Sequence, residues 1–335
     1  MHFAVEIDGA GAHPAAGGDG DSLAAATAGQ AAARAAETAG FDLVTLADSA
    51  LPPPGGGLRL EAGVRAAYLA RRTRRIGLAP TLHVTVTEPF HLATQLASLD
   101  HASLGRAGWV VGADNSAAAL ATVGGRPLSP AELRREVTDV IEVARRLWDS
   151  WEDDAVIRDV STGRFLDADR VHHVNFTGAR FSVTGPLITP RPPQGQIVVL
   201  GADTLGVTDR LDIALIAAPD VEETAERARR ARADGAPLVF AELDVLLGAE
   251  RLAALDAVRP WGTPARLRHA GSAEELRALL DRLTGLVDGV RVHPAVLATD
   301  LPRLAAALHT GPAPGGTLRE RLGLPRPANR FATAR

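Results

Sequence analysis

The stretch from Arg75 to Gly112, RIGLAPTLHVTVTEPFHLATQLASLDHASLGRAGWVVG, decides the fold. Arg75 to Val84 is rich in apolar and β-branched residues and reads as a strand. Glu88 precedes Pro89 and opens a helix that runs to Leu104, with Gly105 as its stop. Gly105 to Gly112 is again a strand. Two strands joined by a crossover helix are parallel. The same alternation spreads both ways. Before it come a strand from His2 to Asp8, a helix capped by Asp21 or Ser22 and ending at Gly40, a strand from Phe41 to Ala47, and a helix from Leu60 to Arg72. After it, a helix is expected from Pro130 to Trp151, with Leu133, Val137, Val140, Ile141, Ala144 and Leu147 forming one apolar face. Strands follow at Ile197 to Gly201, Ile213 to Ala217, Pro237 to Leu247 and Val287 to His293. Helices lie between them at Val221 to Arg232 and Ser272 to Leu283, and the last runs from Thr299 to Leu308.

About eight strands alternating with helices predict an α/β fold of the (β/α)8 TIM barrel class. The whole chain, 1–335, reads as one barrel domain. Residues 153–193 form an excursion after the fourth helix, with β-like runs at Val171 to Val174 and Arg180 to Val183. Residues 311–335 read as a C-terminal strap. A doubly wound open sheet is the competing architecture, but Gly9, Gly11, Gly17 and Gly18 lack the spacing of a dinucleotide fingerprint.

Composition excludes several chemistries. There is no Cys, which removes thiolate nucleophiles, disulfides and Cys-ligated metals. There is no Lys, which removes Schiff-base and Walker-type chemistry. The net charge of −4 argues against a broad nucleic-acid or polybasic membrane surface. Met1 to Ile7 has no basic region ahead of a long apolar run, and no apolar stretch reaches membrane-spanning length. The expected location is cytoplasmic, with no nucleic-acid or membrane partner.

Barrels place chemistry at the C-terminal ends of their strands. Those ends offer Glu6 and Asp8, Asp48 and Ser49, then His83, Thr85 and Thr87. Asp114, Asn115 and Ser116 follow, then Asp203 and Thr204, and finally His293. Any one of them alone is a helix cap or turn residue. His83 is expected to be a packed, hydrogen-bonded side chain. His172 and His173 face opposite ways on a strand, so no shared metal is expected. Glu152, Asp153 and Asp154 read as a solvated turn. Trp148 and Trp151 read as packing residues.

Several runs carry a family resemblance. They are Glu88-Pro89-Phe90-His91-Leu92-Ala93 continuing to His101, Gly105-Arg106-Ala107-Gly108-Trp109-Val110-Val111, and Leu147-Trp148-Asp149-Ser150-Trp151-Glu152-Asp153-Asp154-Ala155. Gly185-Pro186-Leu187, Pro190 to Gly195 and Thr317 to Leu324 extend the match to both halves of the chain. The sequence resembles the luciferase-like flavin-dependent monooxygenases, in the branch of nitrilotriacetate and dibenzothiophene-sulfone monooxygenases. The resemblance implies a barrel that takes reduced FMN from a separate flavin reductase and uses O2 to oxygenate a small organic substrate. It also implies a homodimer. Carried over by position, it implies that Asp48, Thr85, Arg134, Thr204 and Gly206 bind the cofactor, with no metal and no assigned catalytic residue.

The pattern departs in places. Val110 stands where the family has Asn, and Pro130 and Arg134 stand where it has His and Tyr. Gly201-Ala202-Asp203-Thr204-Leu205-Gly206 replaces Gln-Ala-Gly-x-Ser, which puts Leu205 at the Ser position and Asp203 where a phosphate is expected. The helix after the fifth strand looks one turn short, and the region between the sixth and eighth strands looks trimmed. Two alternatives follow. One is a barrel with a degenerate flavin site acting as a partner or binding protein. The other is an oxidoreductase using the deazaflavin F420.

Overall fold

The computed structural model describes residues 1–7, 9–17, 22–52, 59–308, 311 and 315–332. Eight parallel strands close into a barrel: β1 (His2–Glu6), β2 (Leu43–Leu46), β3 (Gly77–His83), β4 (Gly108–Gly112), β5 (Val198–Ala202), β6 (Ile213–Ile216), β7 (Leu238–Leu247) and β8 (Gly289–Pro294). Closure runs through β6 against β7, Ile213 opposite Leu238, and through β1 against β8, His2 opposite Gly289. The surrounding helices are α1 (Ser22–Ala39), α2 (Ala62–Ala70), α3 (Pro89–Ser103), α4 (Pro130–Asp149), α5 (Val221–Ala233), α6 (Glu250–Val258), α7 (Ala273–Leu283) and α8 (Leu297–Ala307). The (β/α)8 barrel expected from the alternation is therefore the architecture observed.

Local chemistry sets the boundaries. The Glu88 carboxylate accepts from the Phe90 and His91 N–H groups, and Pro89 occupies the first turn of α3. Ser129 and Glu132 form a reciprocal capping box at the start of α4, again followed by Pro. On α4, Val137, Val140, Ile141, Ala144 and Leu147 are buried, as their spacing requires. The expected α1 cap at Asp21 lies outside the described residues.

Side chains alternate across the barrel wall. Ala4, Leu43, Ala79, Val110, Leu200, Ile213, Leu215 and Phe240 form one buried cluster inside it. Leu318, Leu322 and Leu324 join that cluster. The short helix Leu318–Arg321 therefore plugs the end of the barrel opposite the catalytic rim. Arg319 anchors the plug: its guanidinium donates to both Asp212 carboxylate oxygens at 3.0 Å and to the Gln196 and Ile197 carbonyls. The tail beyond it lies on the excursion, where Asn329 Nδ2 donates to the Asp149 and Trp151 carbonyls at 2.8 Å.

Four expectations need correction. The shortened helix after β5 is not an α-helix; two three-residue 3-10 turns, Asp203–Leu205 and Thr208–Arg210, span the connection. Too few residues separate Ala202 from Ile213 to form an α-helix and return. Residues 248–271, where the sequence pattern predicts no element, hold α6 and a ninth strand, Leu267–Gly271, which pairs with the upper half of β7. In the excursion, the β-like runs resolve into hairpins at Val156–Asp159 with Arg164–Leu166 and at Phe176–Thr177 with Ser182–Val183. Val171 makes only a bridge to Trp151. Finally, the acidic turn is ion-paired rather than simply solvated. Asp153 binds Arg191 and Arg326, Asp154 binds Arg170, and Glu152 lies 2.9 Å from His172. Those partners come from remote segments that folding brings together.

Candidate active site

The ends of β2, β3 and β4 are tied together by His83. Its Nδ1 accepts from the Asp114 N–H at 3.2 Å, which leaves the proton on Nε2 to donate to the Asp48 carbonyl at 3.1 Å. His83 is thus the packed, hydrogen-bonded residue expected. Gly112 makes the packing possible, because a Cβ there would lie 2.6 Å from His83 Nδ1. Thr85 Oγ1 donates to the Asp114 carbonyl at 2.7 Å. The Asp48 carboxylate accepts from Ser49 N–H at 2.8 Å and Ala62 N–H at 2.7 Å, at the start of α2. Asp48 and Thr85 therefore belong to one hydrogen-bonded arc, and these bonds of the Asp48 carboxylate are to backbone.

Arg134, Thr204 and Gly206 form a second group, at the end of β5 and the first turns of α4. Gly206 has φ +68° in the left-handed region, and the space a Cβ would take there is 3.5 Å from the Arg134 side chain. Arg134 and Thr204 are exposed. Asp203 does not face an anion unpaired. Arg227 on α5 donates to both of its carboxylate oxygens, at 2.9 and 2.6 Å. Leu205 packs on the hydrophobic core, and the Cβ position at Gly201 is 3.3 Å from its side chain. Val110 lines the barrel interior. The two groups sit on neighbouring corners, since β4 pairs with β5.

The β7–β8 side of the mouth is a charged wall, of which the strand-end pattern of the sequence points only to His293. Glu242 and Asp244 alternate along β7, opposite Arg291 and His293 on β8. Arg268 lies opposite Asp244 on the ninth strand, and Arg266 precedes it. Arg291 contacts Glu242, and His293 Nε2 lies 3.8 Å from the same carboxylate. Burial opposes ionisation of Glu242, but Arg291, His293 and Arg266 outweigh it and hold its carboxyl well below the usual range. Asp244 is shifted up, because burial outweighs Arg266, His293 and Arg268. Burial pushes His293 down, toward the neutral form. The period-two pairs Glu-x-Asp, Arg-x-Arg and Arg-x-His are the signal that the sequence offers for this wall.

Other candidates have structural roles. Glu6 accepts from Thr45 Oγ1 at 2.7 Å and Ala47 N–H at 2.8 Å. Asn115 clamps Leu128 through both its side-chain N–H and its side-chain carbonyl, and Ser116 caps the short helix Ala117–Ala121. The Ser116 N–H holds the Asp114 carboxyl below its ordinary value. Ser49 accepts from Leu51 N–H. Thr87 continues the turn after β3 through its own N–H. Asp8 lies outside the described residues. His172 stacks on Phe331, His173 binds the Gly185 carbonyl, and no metal-ligating group of three occurs among the described residues. Trp148 and Trp151 donate to the Ala93 and Leu187 carbonyls.

A closed parallel barrel with polar residues gathered at the C-terminal rim of its strands defines a (β/α)8 barrel of the enzyme-bearing kind. Comparison with known proteins makes the assignment specific. Residues 7–288 match the luciferase-like monooxygenase family model, and the chain belongs to that family. A pristinamycin IIA synthase component from Streptomyces pristinaespiralis is 33% identical over 307 residues, 90% of each chain. Nitrilotriacetate monooxygenase component A of Aminobacter aminovorans is 40% identical over 144 residues, covering 43% of this chain and 32% of that protein. The chain spans less than half the length of the curated relatives that it matches over such shorter stretches. The solved structure of long-chain alkane monooxygenase superimposes with a TM-score of 0.83 at 19% identity, covering 96% of this chain and 95% of that one, which shows the shared fold. No helix among the described residues is long and apolar enough to cross a membrane.

Proposed function

We propose that the chain is the oxygenating component of a two-component monooxygenase: it takes reduced FMN from a separate flavin reductase and oxygenates a small organic substrate with O2. The observation that carries this reading is the β5 corner. An exposed Arg134 lies against Gly206, beside an exposed Thr204, while Arg227 neutralises Asp203. The residues fit a phosphate, because a cation, a hydroxyl and a glycine-lined approach are available and the one nearby acid is already paired. Arg134, Thr204 and Gly206 would hold the phosphate end of FMN, and Thr85 and Asp48 would line the rim beside it. When bound, reduced FMN supplies the electrons for O2 chemistry. The apolar interior around Val110 excludes water from below, and the His83 bridge keeps β2, β3 and β4 in fixed register at the rim. We further assign the chain to the cytoplasm and to a homodimer.

A second reading is a non-catalytic partner protein. It draws on the absence of an α-helix after β5 among the described residues, and on the relative named as one component of a synthase. Anaerobic titration with reduced FMN, with F420 run in parallel, separates the readings. Micromolar binding of reduced FMN is expected, weakened about tenfold, or ~1.4 kcal/mol, by Arg134→Gln. Folded protein that binds neither cofactor would overturn the oxygenase reading in favour of the non-catalytic partner. Binding of F420 alone would move it to deazaflavin chemistry.

A further inference from the structure

The charged wall on β7 and β8 is unevenly satisfied. Arg291 is engaged by Glu242. Arg268 donates Nη1 to the Gly262 carbonyl at 2.7 Å and lies over the Trp261 ring at 4.3 Å. Arg266 is different. Its nearest acids are Asp244 at 3.3 Å and Glu242 at 3.8 Å, it makes no hydrogen bond among the described residues, and its side chain is 31% exposed.

Buried atoms without partners tell the same story. Arg268 Nε, Arg291 Nε and His293 Nε2 are unfilled, against one carboxylate oxygen, Asp244 Oδ1. The His293 side chain is only 8% exposed. Unfilled donors outnumber unfilled acceptors, so the group that completes this wall brings more acceptors than donors. Buried charges of this density contribute little net stability, which leaves recognition as their use. Glu6 lies 3.9 Å from Arg291 at the far end and is already served by Thr45 and Ala47. The end nearest Arg266 thus sets three arginines against Glu242 and Asp244.

We propose that this wall anchors the substrate through a carboxylate, with Arg266 as its principal ligand, Arg268 behind it, and the open oxygen of Asp244 accepting a donor beside the carboxylate. The proposal deepens the monooxygenase reading, on which the word substrate rests. Arg266 can serve because it is charged, reaches the mouth and is not held by competing hydrogen bonds.

The test needs no flavin. Succinate, butanoate, butanamide and butylamine are titrated into the full chain and followed by ligand-observed NMR. The two carboxylates are expected to bind, and the amide and amine are not. Arg266→Gln is expected to weaken succinate about tenfold. Asp244→Asn is expected to tighten it, because a repelling charge is removed. A general loosening of the fold would weaken both variants, so the opposite signs identify recognition. Equal binding of butanamide and butanoate, an unchanged affinity in Arg266→Gln, or weaker binding in Asp244→Asn would each overturn the proposal. Reduced FMN is titrated into the same sample. If carboxylate selectivity holds while reduced FMN fails to bind, only the oxygenase reading falls.

Discussion

Asp100 shows how one buried side chain makes stability depend on pH. It sits on α3 and accepts from the Ala107 N–H at 3.0 Å and from Gln194 through both the backbone N–H and Nε2. Burial nevertheless lifts its carboxyl from 3.8 to about 6. The native state therefore holds the proton more tightly than the unfolded chain does. The contribution of this group is fully present below the unfolded value and is lost as pH rises through about 6, a swing of roughly 3 kcal/mol. Urea unfolding of the native sequence and Asp100→Asn at pH 4 and pH 7 checks this. The advantage of the native sequence should shrink as pH rises, and a constant difference would refute it. Arg319 is the opposite case, a buried cation with every direction answered. Arg319→Met strands Asp212 and is expected to cost about 3–5 kcal/mol, read as a lower thermal midpoint.

At the scale of elements, the C-terminal plug carries weight that its four helical residues do not suggest. Leu318 is fully buried inside the barrel against the side chains of β2 and β3, and its Cδ1 lies 2.8 Å from the Cβ position at Gly77. Leu318→Ala is expected to destabilise by about 2–5 kcal/mol in chemical denaturation. A loss within experimental error would mean that the floor of the barrel closes without it. Elements with strong periodicity are legible in the sequence: α4 from its apolar face, α3 from its acidic cap and proline, and β3 and β4 from unbroken apolar runs. The ninth strand is not, because Arg268 and His269 interrupt its apolar pattern and its partner is only the upper half of β7. The connection after β5 reads as a short helix from its length, but Leu205 turns inward onto the core and Gly206 ends the turn.

At the scale of the whole molecule, the barrel, its plug and its strap interlock through pairs distant in sequence: Arg319 with Asp212, Arg191 with Asp149, and Arg326 with Asp153. The homodimer proposal is tested here. Sedimentation equilibrium should return about twice the 34.9 kDa of one chain, and a single-chain mass would refute it. A copy number of one would leave the barrel-mouth chemistry untouched, since every residue assigned to the mouth belongs to this chain.

The sequence by itself determined the alternation of strands and helices, because periodicity and capping are local and each segment states its own preference. It also carried the family resemblance and the identity of the rim candidates Asp48, Thr85, Arg134, Thr204 and Gly206. Only the tertiary structure decided which of these meet. Arg134 reaches Gly206 across 72 positions, and Arg227 removes the conflict that Asp203 posed for an anion. The charged wall likewise exists only once β7, β8 and the ninth strand are set side by side. Its residues are ordinary surface types in the chain, and barrel closure is what turns their alternate positions inward, where an unpaired charge must find a partner.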